Sequence, residues 1–296
     1  MKPITPEDYL DLHAHSTASD GTDSPQEFVL HGANRGLRAL ALTDHDTMDG
    51  IPAFLSAAQE HGIIAIPGVE VSTEVDGRKL HILGLGMELE GAGPLELFLK
   101  KSRDRRRSRN EKLVQLLRDM GHGLELEEVE AEAGGVVVGR PHFARVLVKK
   151  GRVRSVQEAF DTLLKDHGPA YVPKVKAAPE KVITSIRESG GLAIAAHPHT
   201  LAADGHRSLY RRLEQLADWG LDGVEAWHPE VIPSLSDKLV RFAEQRNMVV
   251  SAGSDYHGRN KDRSPLGRWN RHHRIQARQV WTLLQRLASR EMLEIA

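Results

Sequence analysis

Apolar residues fall in short runs separated by stretches with helical spacing, and the alternation carries most of the chain. Tyr9-Leu10-Asp11-Leu12 opens it as a short strand, and Ser24-Pro25 reads as the N-cap and first turn of a helix to about residue 35. Ala39-Leu40-Ala41-Leu42-Thr43 is apolar at nearly every position, the signature of a parallel strand buried on both faces. A helix over 51–61, a strand over 63–71 and a strand over 79–85 follow. From about Leu99 to Pro179 the strand-like runs stop and charged, helical sequence takes over. The alternation resumes with a helix over 180–189, the strand Leu192-Ala193-Ile194-Ala195-Ala196 and a helix over 209–219. The stretch 222–229, a helix over 234–246, a run from Val249 and a last helix over 277–287 complete it.

Repeated strand–helix units with no Gly-x-Gly-x-x-Gly and no Walker-type loop predict an α/β barrel with its site at the C-terminal strand ends. The expected organisation is a barrel made of 1–98 and 180–296, with a helical subdomain inserted at 99–179.

The runs close on metal-binding side chains. His13 and His15 are spaced i, i+2, which in a strand points both imidazoles to one face. Asp20 follows in a polar loop, and later runs end at His45, Glu70, His197 and Asp255 with His257, while alternation in the fourth strand aims His81 at one face. A carboxylate buried without a partner at Glu70 would cost several kcal/mol, so a cation is expected beside it. Histidine with carboxylate and no sulfur suits Mn, Fe or Zn better than Ca or Mg. These nine candidates exceed what one ion uses, so two or three divalent ions are expected, Mn first, with chemistry suited to displacement at phosphorus.

The chain of 296 residues has no cysteine, which removes disulfides, thiolate ligands and thiol nucleophiles. Forty basic against 41 acidic residues give a net charge of −1, so stable binding of duplex nucleic acid is not expected and any anion site must be local. Arg140 and His142 flank a proline that starts a helix at its positive end, which suits a phosphate. The N-terminus lacks an apolar signal core and no run is long enough to span a membrane, so the expected location is the cytoplasm.

Asp11-Leu12-His13-Ala14-His15-Ser16 with Asp20-Gly21, Thr43-Asp44-His45-Asp46, Gly68-Val69-Glu70, His81, Ala196-His197-Pro198 and Gly253-Ser254-Asp255-Tyr256-His257 together resemble the motifs of the polymerase and histidinol phosphatase (PHP) family. The resemblance implies a distorted (β/α)7 barrel and a trinuclear site, with catalytic roles for Glu70, Asp255 and His197. It places one ion on His13, His15, Glu70 and Asp255, a second on Glu70, His81 and His197, and a third on Asp20, His45 and His257.

The insert resembles that of bacterial members that remove the 3'-phosphate of nucleoside 3',5'-bisphosphates, whose relatives trim short RNA from its 5' end. A small nucleotide or short oligonucleotide is therefore the expected substrate, with Arg140, His142 and His199 as its contacts. His199 departs from the pattern, since a small residue is more usual there. The alternatives are a histidinol-phosphate phosphatase and a non-catalytic metal-binding regulatory or polymerase-accessory domain. An amidohydrolase would need a bridging lysine that the later strand ends do not offer.

Overall fold

Seven strands stand side by side in chain order in one sheet. They are β1 (Leu10–Asp11), β2 (Ala39–Leu42), β3 (Ile64–Val75), β4 (Arg78–Leu85), β5 (Leu192–Ala196), β6 (Gly223–Trp227) and β7 (Val249–Ala252). Past the paired strands, Leu12 N–H donates to Ala252 O at 3.2 Å and His15 N–H to Tyr256 O at 2.8 Å. The first strand thereby meets the last, and the sheet is nearly closed into a barrel. This computed structural model describes residues 2–89, 93–134, 138–173, 177–202, 204–261 and 264–296. The chain divides into two compact units, Met1–Phe98 with Lys176–Ala296, and Leu99–Val175.

In the first unit, every residue of β2, β5 and β7 is buried, because side chains fill the barrel inside and helices cover it outside. The covering helices begin and end where their sequence dictates. Helix α1 (Pro25–Asn34) starts at Ser24, whose hydroxyl accepts from Glu27 N–H while Glu27 reaches back to Ser24 N–H. Helix α2 (Ile51–His61) stops at Gly62, which takes the left-handed conformation (φ 66°). Phe28, Phe54, Leu40 and Leu42 pack between these two helices and the sheet.

One expectation about direction is overturned. β3 and β4 are joined by the tight turn Asp76–Gly77, both at positive φ (48° and 72°), so β4 runs antiparallel to β3 and to β5. His81 therefore enters from the first half of its strand, opposite Ser72 and Ala196, and not from a C-terminal strand end. The reversal also moves the point where the insert leaves. Leu85, the last residue of β4, pairs with Leu192 at the start of β5, away from the strand ends that carry the histidines. The chain returns at Ala177, bridged to Thr73 three residues beyond Glu70.

Helix α3 (Pro94–Asp119) contains the boundary between the units. The second unit continues with α4 (Leu126–Ala133), α5 (Arg140–Lys149) and the short α6 (Val156–Ala159). Its own core gathers Leu113, Leu117, Val129, Phe143, Leu147 and Leu164. Helices α7 (Pro179–Glu188), α8 (His206–Asp218), α9 (Pro233–Gln245) and α10 (Trp281–Ala288) return to the barrel unit.

Candidate metal centre

Glu70 sits inside the barrel mouth with its side chain 1% exposed, and imidazoles surround both of its oxygens. Oε1 lies 2.8 Å from His81 Nδ1 and 2.9 Å from His197 Nε2. Oε2 lies 3.0 Å from His45 Nδ1, 3.2 Å from His15 Nε2 and 3.3 Å from His13 Nε2. Asp255 Oδ1 faces the same two rings, 3.3 Å from His15 Nε2 and 3.6 Å from His13 Nε2. Asp20 closes the far side, 3.2 Å from His257 Nε2, 3.8 Å from His15 Nδ1 and 3.9 Å from His45 Nε2. The nine candidates of the sequence thus form one continuous cluster.

Within it three sets converge tightly enough to share an ion: His13, His15, Glu70 and Asp255; His15, Asp20, His45 and His257; and His45, Glu70 and His81. His15 and His45 each fall in two sets, which motif spacing does not reveal. The donor chemistry fits divalent cations. His13 Nδ1–H donates to Glu225 at 2.9 Å, and His257 Nδ1–H to the Asp255 carbonyl at 2.9 Å. Those bonds fix each tautomer and turn the Nε2 lone pair into the cluster, as outer partners of metal-binding histidines do. His13 Nε2, both His15 nitrogens, His45 Nδ1 and Glu70 Oε2 are buried without a hydrogen-bond partner. Lone pairs facing carboxylate oxygens near 3.3 Å need positive charge between them.

Electrostatics agree. Burial opposes charge on His15, but the carboxylates of Asp255 and Glu70 that stand against its Nε2 raise its pKa to about 10. Burial would raise Glu70, yet the charges of His45, His81 and His13 hold it well below the usual carboxylate range. His45 goes the other way, to about 4, because burial outweighs the attraction of Glu70 and His15 adds repulsion. The pocket holds its carboxylates ionised and favours positive charge beside them.

The backbone is strained where it presents these groups. His197 (φ 29°) and Asp255 (φ 52°) lie in the left-handed region, at roughly 1–2 kcal/mol each. Gly253 is glycine because a Cβ there would stand 2.1 Å from His13 Cβ.

Four residues of the site escaped the sequence reading. Glu225, fully buried, binds His13 through one oxygen and accepts His197 N–H through the other at 2.7 Å. His228 accepts Glu230 N–H on Nδ1 at 3.1 Å, so Nε2 carries the proton that faces Asp255 Oδ2 at 3.4 Å. His228 closes an apolar run, the same signal that marked His197, whereas Glu225 lies in the middle of β6. Asp11 accepts from the backbone N–H groups of Ser254 and Gly267, tying the His13 strand to the Asp255 segment. Asp44 accepts from Ser16 and Ser19 and holds the loop bearing Asp20.

Of the expected substrate contacts, His199 belongs to the unit that carries this cluster, its ring 6.1 Å from that of His197. His199 lies on a turn after β5, its ring stacked on His228 at 5.8 Å and its Nε2 3.3 Å from Glu230. Arg140 and His142 belong to the second unit. Arg140 Nη1 donates to Asp166 at 2.7 Å and to Leu164 O at 2.8 Å, and His142 Nδ1 accepts Gly139 N–H at 3.0 Å, capping α5. Asp262 and Arg263, in the basic loop after Asp255, lie outside the described residues.

Known proteins are similar to this chain in sequence and in fold. A 5'-3' exoribonuclease of Haemophilus influenzae is 35% identical over 247 residues, covering 83% of this chain and 89% of its own. A 3',5'-nucleoside bisphosphate phosphatase of Chromobacterium violaceum is 33% identical, covering 84% and 87%. A solved structure from Bifidobacterium adolescentis, assigned as a metal-dependent phosphoesterase, superposes with a TM-score of 0.78 at 26% identity, covering 96% of this chain and 98% of that one. The PHP domain profile matches residues 11–165, and the chain belongs to the PHP domain family.

Proposed function

We propose that this chain is a metal-dependent phosphoesterase that hydrolyses phosphate monoesters of nucleotides, foremost the 3'-phosphate of nucleoside 3',5'-bisphosphates. The observation that carries the reading is Glu70, one buried carboxylate flanked on both oxygens by histidines. The nucleotide assignment draws on the names of the Chromobacterium and Haemophilus relatives. Removal of nucleotides from the 5' end of short RNA is the second activity that those relatives favour.

His13, His15, Glu70 and Asp255 would hold one divalent ion, Glu70, His81 and His197 a second, and Asp20, His45 and His257 a third. Two or three such ions, Mn first and Fe or Zn otherwise, would acidify water at neutral pH and offset charge on phosphoryl oxygens. The chain's own part is orientation. Glu225 sets the His13 ring, His228 and Lys261 hold Asp255 Oδ2, and Asp44 holds the Asp20 loop. Arg140, His142 and His199 are the phosphate contacts of the reading. For the first two the support is a guanidinium and an imidazole at a helix start.

Among the described residues no helix is long and apolar enough to cross a membrane, which accords with a small diffusible substrate. The test is a phosphate-release screen with Mn, Fe, Zn and Mg over nucleoside monophosphates, 3',5'-bisphosphates, histidinol phosphate and short RNA. Fastest release from a 3',5'-bisphosphate is expected. Preference for histidinol phosphate would overturn the substrate, and release from none would leave a non-catalytic domain.

A further inference from the structure

We propose that the cavity beside Asp255 is a second anion subsite, built from Lys261, Arg271 and His199, which holds the phosphate that is not hydrolysed. Glu230 occupies it as an internal competitor until that phosphate arrives. The inference rests on the reading of the chain as a phosphatase of doubly phosphorylated nucleotides.

The cavity measures about 660 Å³ and is lined by Glu230, Asn260, Lys261, Asn270 and Arg271, a size suited to a small-molecule ligand. It adjoins the metal cluster through a shared wall. Asp255 presents Oδ1 to His15 and Oδ2 to Lys261 Nζ at 2.5 Å. Lys261 is a half-buried cation facing two carboxylates, since Glu230 Oε1 stands 3.4 Å from the same ammonium. The other Glu230 oxygen lies 3.3 Å from His199 Nε2. No carboxylate among the described residues pairs with Arg271.

Glu230 is held unevenly. Its backbone N–H is anchored on His228, whereas its side chain is 54% exposed and, among the described residues, its carboxylate pairs with Lys261 and His199. Exposed pairs of this kind contribute little to stability and are readily exchanged. A phosphate brings more charge and more acceptor oxygens to the same donors, so it displaces the carboxylate, which swings into solvent.

The same residues do not make a further cation site, although His199, His228 and Glu230 converge closely enough for one. His228 has no lone pair to give: Nδ1 accepts from Glu230 N–H and Nε2 carries its proton towards Asp255. The Lys261 ammonium beside Glu230 would repel a metal ion as well.

Steady-state kinetics on adenosine 3',5'-bisphosphate and on p-nitrophenyl phosphate test the subsite, with calorimetry of pyrophosphate binding to chelator-treated protein as a second readout. Arg271→Met is expected to raise KM for the bisphosphate about tenfold or more, the loss of a charge-assisted contact, and to leave p-nitrophenyl phosphate within about twofold. Glu230→Gln is expected to lower KM for the bisphosphate up to about fivefold and to tighten pyrophosphate binding. Equal losses on both substrates in Arg271→Met would overturn the proposal, because Arg271 would then support the fold and not the second phosphate. A raised bisphosphate KM in Glu230→Gln would overturn it too. If wild-type protein hydrolyses no bisphosphate while pyrophosphate binding still follows both variants, the subsite stands and the nucleotide reading falls. If the bisphosphate is the substrate and neither variant discriminates, the subsite falls alone.

Discussion

His13 and Glu225 form a fully buried hydrogen bond of 2.9 Å that sets the direction of the Nε2 lone pair at the centre of the cluster. Glu225 touches no other ring of the cluster as closely, so its effect on a metal passes through His13 and through His197 N–H. Glu225→Gln keeps the shape and loses the charge. We expect metal affinity or turnover to fall by about 10–100-fold. Titration of chelated protein with Mn measures it, and an unchanged isotherm would remove Glu225 from the site.

Glu70→Gln and Asp255→Asn should abolish hydrolysis while the protein stays folded. Each carboxylate faces at least two histidines, and loss of the cation it holds removes several kcal/mol of transition-state stabilisation, roughly 10³-fold in rate. Far-UV circular dichroism and phosphate release on the same preparations check both halves. Activity within tenfold of wild type in either variant would contradict the assignment.

Metal uptake should release protons. His15 without metal titrates near 10, above the 6.5 of an unfolded histidine, so between those values a metal must displace its proton. Apparent affinity should rise with pH towards 10. For the metal-free fold the sign is opposite: the stability from protonated His15 is fully present below 6.5 and is lost as pH rises through 10. Calorimetry in buffers of different ionisation enthalpy reads the first effect, and melting of chelated protein between pH 6.5 and 10 the second.

Gly253→Ala should disturb both fold and site. The added methyl meets His13 Cβ and the His13 backbone in a packed interior, where overpacking costs about 1–3 kcal/mol or more. A lowered melting temperature together with weaker metal binding is expected. Normal metal binding at wild-type stability would mean that His13 has room to retreat.

Arg140→Ala separates phosphate binding from bracing. Loss of a contact away from the reacting bond raises KM for bisphosphates and spares simple monoesters. Equal losses on both with reduced thermal stability would assign Arg140 to its pairing with Asp166 and Leu164 O.

Much of the barrel is legible because burial on both faces forces continuous apolar runs. The strand Leu192–Ala196 and the helix Ile51–His61 fall at the boundaries their residues suggest. Strand direction is not legible in such runs, since alternation reads the same both ways. The reversal of β4 is written in the Asp76–Gly77 turn, whose geometry accepts only residues tolerant of positive φ. The convergence of His13, His45 and His257 follows from each lying at a run's end, whereas Glu70 projects from the middle of β3. His228 carries that signal as well, but the pattern cannot separate a residue that faces the centre from one that braces it. That distinction depends on tautomers fixed by contacts between distant segments.

Barrel closure also sets a timetable for the nascent chain. Glu70 and His81 are 11 positions apart and meet within one hairpin, an event of microseconds. His197 follows Glu70 by 127 positions, and Glu225 follows His13 by 212. At roughly 5–20 residues per second, His13 leaves the ribosome on the order of 10–40 s before its partner exists. Throughout that interval the first strand has no seventh to close against, and a hairpin with one carboxylate and one imidazole is all that a passing ion could find. Cation selection is therefore deferred until translation is almost finished, and the finished barrel, not the emerging peptide, decides which ion is kept.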